Sequence, residues 1–82
     1  MITTTTEGKT FVIDGQGFFT EHEERHLDCW LRAMSEKDAA RDLCKSPETI
    51  HWHRKMLREK THQNNAQGVL VYCLARGYIR ML

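Results

Sequence analysis

Residues 22–26 read His22-Glu23-Glu24-Arg25-His26, an H-E-x-x-H. On a helix this spacing puts two imidazoles on one face, with a glutamate placed to act as general base to a metal-bound water. That is the zinc-protease pattern. A catalytic zinc also needs a third ligand, an open coordination position and a cleft for substrate. No recognised third-ligand motif follows residue 26, and a chain of 82 residues leaves little room for a cleft. A second account covers the same residues. Thr20-Glu21-His22-Glu23 is a capping box, in which the threonine oxygen accepts from the N–H of residue 23 and the Glu23 carboxylate reaches back. Histidines four apart are then what one helical face repeats. The reading is no enzyme, no dedicated metal and no cofactor, with adventitious metal binding through His22 and His26 at most.

The other chemistry-bearing stretch begins at Ser46-Pro47-Glu48-Thr49: serine at the N-cap, proline at the first helical position and an acid next. It predicts a helix over 47–60. With Ile50, His53 and Leu57 turned inward, the opposite face carries Glu48, His51, Trp52, Lys55, Arg58 and Glu59. His51, Lys55 and Arg58 recur at i, i+4, i+7 and form one ridge. A helix in a major groove reads base edges from such a ridge while flanking cations hold phosphates. The plain alternative is a solvated basic helix. Trp52 fits packing on thymine methyls, anchoring of a protein partner, or partial burial. His53 reads as a core histidine, with a phosphate contact as the lesser alternative. His51 and His53, two apart, point to different faces and make a poor metal pair.

Three further helices are predicted around these residues. Leu27, Trp30, Leu31 and Met34 make one apolar stripe, giving a first helix over 20–33. Ser35-Glu36-Lys37-Asp38 starts a second over 36–43, with Ala39, Ala40 and Leu43 on a close-packing face. Lys37, beside that helix N-terminus, is a phosphate candidate. Asn64-Asn65 offers a cap for a fourth helix over 66–76, carrying Val69, Leu70, Cys73 and Leu74, and Gly77 follows as its C′ glycine. Before residue 19 the chain differs. The Thr3–Thr6 run reads as flexible, Thr10–Ile13 as a short strand, Asp14-Gly15 as a hairpin turn and Phe18-Phe19 as a returning strand. The alternative is a loose arm that tucks its phenylalanines onto the core.

Composition bounds the classes. The net charge is +1, but it divides unevenly. Residues 1–44 hold five bases against nine acids, net −4, and residues 45–82 hold seven bases against two acids, net +5. A polyanion-facing second half follows as an expectation. No apolar run spans a membrane, and MITTTTEGKT lacks a secretory n-region and h-region. Cys29, Cys44 and Cys73 are odd in number and form no CxxC, which points to a reducing cytoplasm without disulfides or zinc knuckles.

With the helices placed, residues 19–79 resemble the LuxR-type (GerE/FixJ-type) DNA-binding domain. The matching stretches are Phe19–Glu23, Leu27, Ser35–Leu43, Ser46–His53 and Gly77-Tyr78-Ile79, in a register free of gaps from 19 to 60. The resemblance implies an all-α, four-helix helix-turn-helix domain over 19–82 behind an N-terminal arm or short β-hairpin over 1–18. It implies sequence-specific binding of double-stranded DNA in transcription regulation, with His51, Trp52 and Lys55 facing bases and Lys37, Ser46, Thr49, Arg54 and Arg58 holding phosphates. It also implies a homodimer through the fourth helix, at Val69, Leu70, Cys73 and Leu74, and contact with RNA polymerase or another LuxR-type regulator. Only 18 residues precede the first helix, so a standalone form without phospho-acceptor or small-molecule pocket is expected. Departures are Ala33 for the family glycine ending the first helix, Lys45 for a hydrophobic residue, Thr61 for a leucine, Ala66 for an arginine and His51 for the family lysine. The last of these, with Trp52, motivates the rival reading of a protein-binding antagonist that pairs with a larger regulator through the fourth helix.

Overall fold

The computed structural model describes residues 1–82. Its first element is a strand. The β-branched run of β1 (Ile2–Thr6) pairs antiparallel with β2 (Lys9–Ile13), from Thr6 opposite Lys9 to Ile2 opposite Ile13. Between them Glu7 and Gly8 both have positive φ, 53° and 72°. This is the two-residue turn whose twist matches a hairpin. The threonine run is therefore ordered strand and not a flexible leader, because β-branched side chains suit a pleated, half-buried surface.

Four helices follow: α1 (Glu21–Leu31), α2 (Glu36–Leu43), α3 (Pro47–Thr61) and α4 (Ala66–Ala75). The chain then returns as β3 (Ile79–Met81), which pairs antiparallel with β2 to give a three-stranded sheet in the order β1-β2-β3. The all-α expectation is thus corrected to an α/β architecture, a three-stranded antiparallel sheet packed with four helices. A lone hairpin is marginal in water, and a third strand plus a helical layer makes it stable.

The Asp14-Gly15 turn does not build the hairpin, and Phe18-Phe19 is not its returning strand. Asp14 donates its N–H to the Tyr78 carbonyl at 2.8 Å, and the Gly15 carbonyl accepts from Phe18 and Phe19. A Cβ at Gly15 would overlap the Phe19 carbonyl, so the tight approach requires glycine. The Gly15 N–H donates to the buried Glu24 carboxylate at 2.6 Å. This segment lays Phe19 into the core and leads directly into α1.

The main core joins both layers: Ile13 and Ile79 of the sheet meet Leu27, Trp30, Leu57, Val69 and Cys73 of the helices. That arrangement corrects the expected dimer face. Val69 and Cys73 are fully buried within the chain, Leu70 is half-buried, and only Leu74 is substantially exposed. The apolar stripe of α4 is consumed by the core it shares with α1, α3 and the sheet. A second, smaller core of Cys29, Ala39, Ala40 and Ile50 locks α2 against α3. No helix is long and apolar enough to cross a membrane.

Candidate functional site: the α3 face and a histidine triad

Ser46 starts α3 as anticipated. Its Oγ accepts from the Thr49 N–H at 3.2 Å and lies 2.9 Å from the Thr49 hydroxyl. The turn before it is short because Cys44 closes α2 in the left-handed conformation, φ 56°. Ile50 is fully buried between α2 and α1, so the helix rolls its polar side outward.

On that outer side His51, Lys55 and Glu59 are exposed and Arg58 is half-buried, so the ridge is in place. Trp52 is 56% exposed and Met56 38%, which gives the face an apolar element that the sequence showed only in Trp52. His51 is not free of partners: its Nδ1 lies 2.8 Å from Glu36 Oε2. Lys37 is exposed on the first turn of α2, and Lys45 is exposed in the turn. Lys45 stands where the resembled pattern has a hydrophobic residue.

Arg54 is a correction. It is 6% exposed, donates from Nη2 to the Met34 carbonyl at 2.9 Å, and holds its guanidinium over the Trp30 ring at 5.4 Å. Its cation ties α3 to the end of α1 and is not available to a phosphate. Burial lowers its pKa, as expected of a cation withdrawn from water.

The second constellation lies between α1 and α3. Helical spacing stacks His22 and His26 one turn apart on α1, and α3 brings His53 against both. His22 Nε2 is 3.2 Å from His53 Nε2 and 3.4 Å from His26 Nε2, and one nitrogen of each ring lies within 4.8 Å of the others. His26 is 1% exposed and its Nδ1 has no hydrogen-bond partner. Burial first, then the neighbouring His53 and His22, push the His26 pKa down to about 4. Burial and His22 lower that of His53 as well. Both shifts favour the neutral ring, which offers a lone pair. The cluster opens on a cavity of about 290 Å³ walled by Trp52, Met56 and Leu57. His53 is therefore not a plain core histidine.

Glu23 lines the same cavity but is already engaged. The capping box is complete: the Glu23 N–H donates to Thr20 Oγ1 at 3.1 Å, and Glu23 Oε1 accepts from the Thr20 N–H at 2.9 Å. Lys60 Nζ adds a charged contact at 3.1 Å. Burial works to raise the Glu23 pKa, but the Thr20 N–H and the Lys60 ammonium outweigh it and hold it below the ordinary range. The third imidazole that the sequence pattern lacked comes from α3, 27 residues beyond His26, and no short motif could have announced it.

No protein-family model, no curated protein and no solved structure matches the chain.

Proposed function

We propose that this protein binds double-stranded DNA as a regulator of transcription, with α3 in the major groove. One observation carries the reading: α2 and α3 pack through their own core of Ala39, Ala40 and Ile50, and this leaves a face of α3 with a tryptophan and three basic-type side chains turned outward. Two helices joined by a short turn and packed through a small-residue core support a helix-turn-helix reading. The resemblance to the LuxR-type pattern supports it at a specific point. Where that family has a glycine, Ala33 adopts φ 57°, a conformation that favours glycine.

In this reading His51, Trp52 and Lys55 face bases, and Lys37, Ser46, Thr49 and Arg58 approach phosphates. Arg54 positions α3 from behind. The contact between His51 and Glu36 competes with DNA, which makes affinity modest. Two-fold pairing, part of the same reading, would use the exposed Val71 and Leu74 of α4 in place of the buried Val69 and Cys73. Half-sites would then lie about one helical turn of DNA apart.

A mobility-shift series on double-stranded fragments at low salt tests this. Lys55→Ala is expected to cost about 1–3 kcal/mol on a specific site, whereas an equal loss on all sequences would make Lys55 a phosphate contact. His51→Lys is expected to strengthen binding. The 56% exposure of Trp52 favours a second reading, a protein-binding module. Absence of any shift together with a co-purifying partner would select that one.

A further inference from the structure

We propose that His22, His26 and His53 form a binding site for one divalent transition metal of the zinc class, joining α1 to α3. The geometry is the first argument. A tetrahedral zinc at its usual 2.0–2.1 Å from each nitrogen separates neighbouring ligand nitrogens by about 3.3 Å. The observed Nε2 separations from His22 are 3.2 Å and 3.4 Å. Two ligands come from one helix face at i, i+4, and the third comes from the helix packed across it.

The second argument concerns what the rings do without a metal. A neutral imidazole offers one donor and one acceptor, on different nitrogens. His22 Nε2 faces two other Nε2 atoms, and in either tautomer it makes one good hydrogen bond, not two. Its second close contact is then left as two like atoms facing each other. A cation that accepts all three lone pairs removes the conflict.

Ligand type sets the metal class. Three imidazoles suit zinc, copper, nickel or iron and not magnesium or calcium, which require oxygen ligands. The fourth position opens on the cavity beside Trp52 and Met56, where a water or a small ligand fits. Glu23 is held by Thr20 and Lys60, so no hydrolytic role is assigned to it. The site stands independently of DNA binding.

Calorimetric titration of chelator-treated protein with zinc alone tests the proposal. Expected are one zinc per chain, a raised Tm, no response to magnesium, and a four-coordinate visible spectrum with cobalt. His22→Gln and His53→Gln, at half-buried positions that spare the core, are each expected to weaken zinc binding by about 100-fold or more, since loss of an outer-shell partner alone costs about 10–100-fold. His62→Gln, at an exposed histidine outside the triad, is expected to leave it unchanged. Circular dichroism confirms that each variant is folded. The proposal is overturned if zinc does not bind stoichiometrically, or if folded His22→Gln and His53→Gln bind it as the parent does.

Discussion

Glu23 answers two different chemical readings with one set of contacts. A general base needs a carboxylate free to accept a proton, whereas this one accepts from the Thr20 N–H and from Lys60. Its loss is therefore expected to appear in stability. Glu23→Ala should lower the unfolding free energy by about 1–2 kcal/mol, the usual cost of losing a cap, as measured by urea denaturation. An unchanged midpoint would mean that the box contributes nothing. This role was legible, because Thr-x-x-Glu before an apolar stripe carries its own mechanism. The neighbouring Glu24 was not. It is 4% exposed and holds the Gly15 N–H, a contact between two segments that no local pattern specifies. The same limit hid His53: His22 and His26 are related by helical repeat, but their third partner depends on how α3 crosses α1. It also misplaced Arg54, whose exposure depends on where the end of α1 lies.

The helices were readable because their ends are written in residue types. Ser35, Ser46 and Asn65 each accept from the N–H three residues on. At the C-termini the reading divides. Gly77 closes α4 with φ 79°, the Tyr78 N–H donating to Cys73 and the Gly77 N–H to Leu74. The paired bonds from Met34 to Cys29 and from Ala33 to Trp30 close α1 in the same way, yet the left-handed residue there is alanine. Left-handed backbone costs a non-glycine residue about 1–2 kcal/mol, partly offset by the unfolded-state entropy of glycine. Ala33→Gly is thus expected to stabilise the protein by up to about 1 kcal/mol, seen as a higher thermal midpoint. A lower midpoint would show that the terminus is set by something other than this motif. The strands were harder. A threonine run has no apolar alternation strong enough to declare itself, and Asp14-Gly15 is a stronger turn signal than the Glu7-Gly8 that makes the hairpin. A three-residue strand at 79–81 has no signature beyond its pairing with β2.

At the scale of the whole molecule, the sheet gives a small helical unit enough buried surface to hold together. Ile13 and Ile79, from opposite ends of the chain, close the core over Val69 and Cys73. Ile79→Ala should therefore cost about 2–4 kcal/mol, despite lying in a short strand near the C-terminus. A loss of a few tenths would mean that β3 is peripheral. In the proposed reading, the outward face of α3, on the basic half of the chain, is the surface that meets a polyanion. Selection of bound sequences from random double-stranded DNA at low salt tests that claim most directly. The expected result is enrichment of a defined sequence by the parent protein, lost in folded Lys55→Ala. Recovery of the input pool unchanged by the folded parent protein would contradict it.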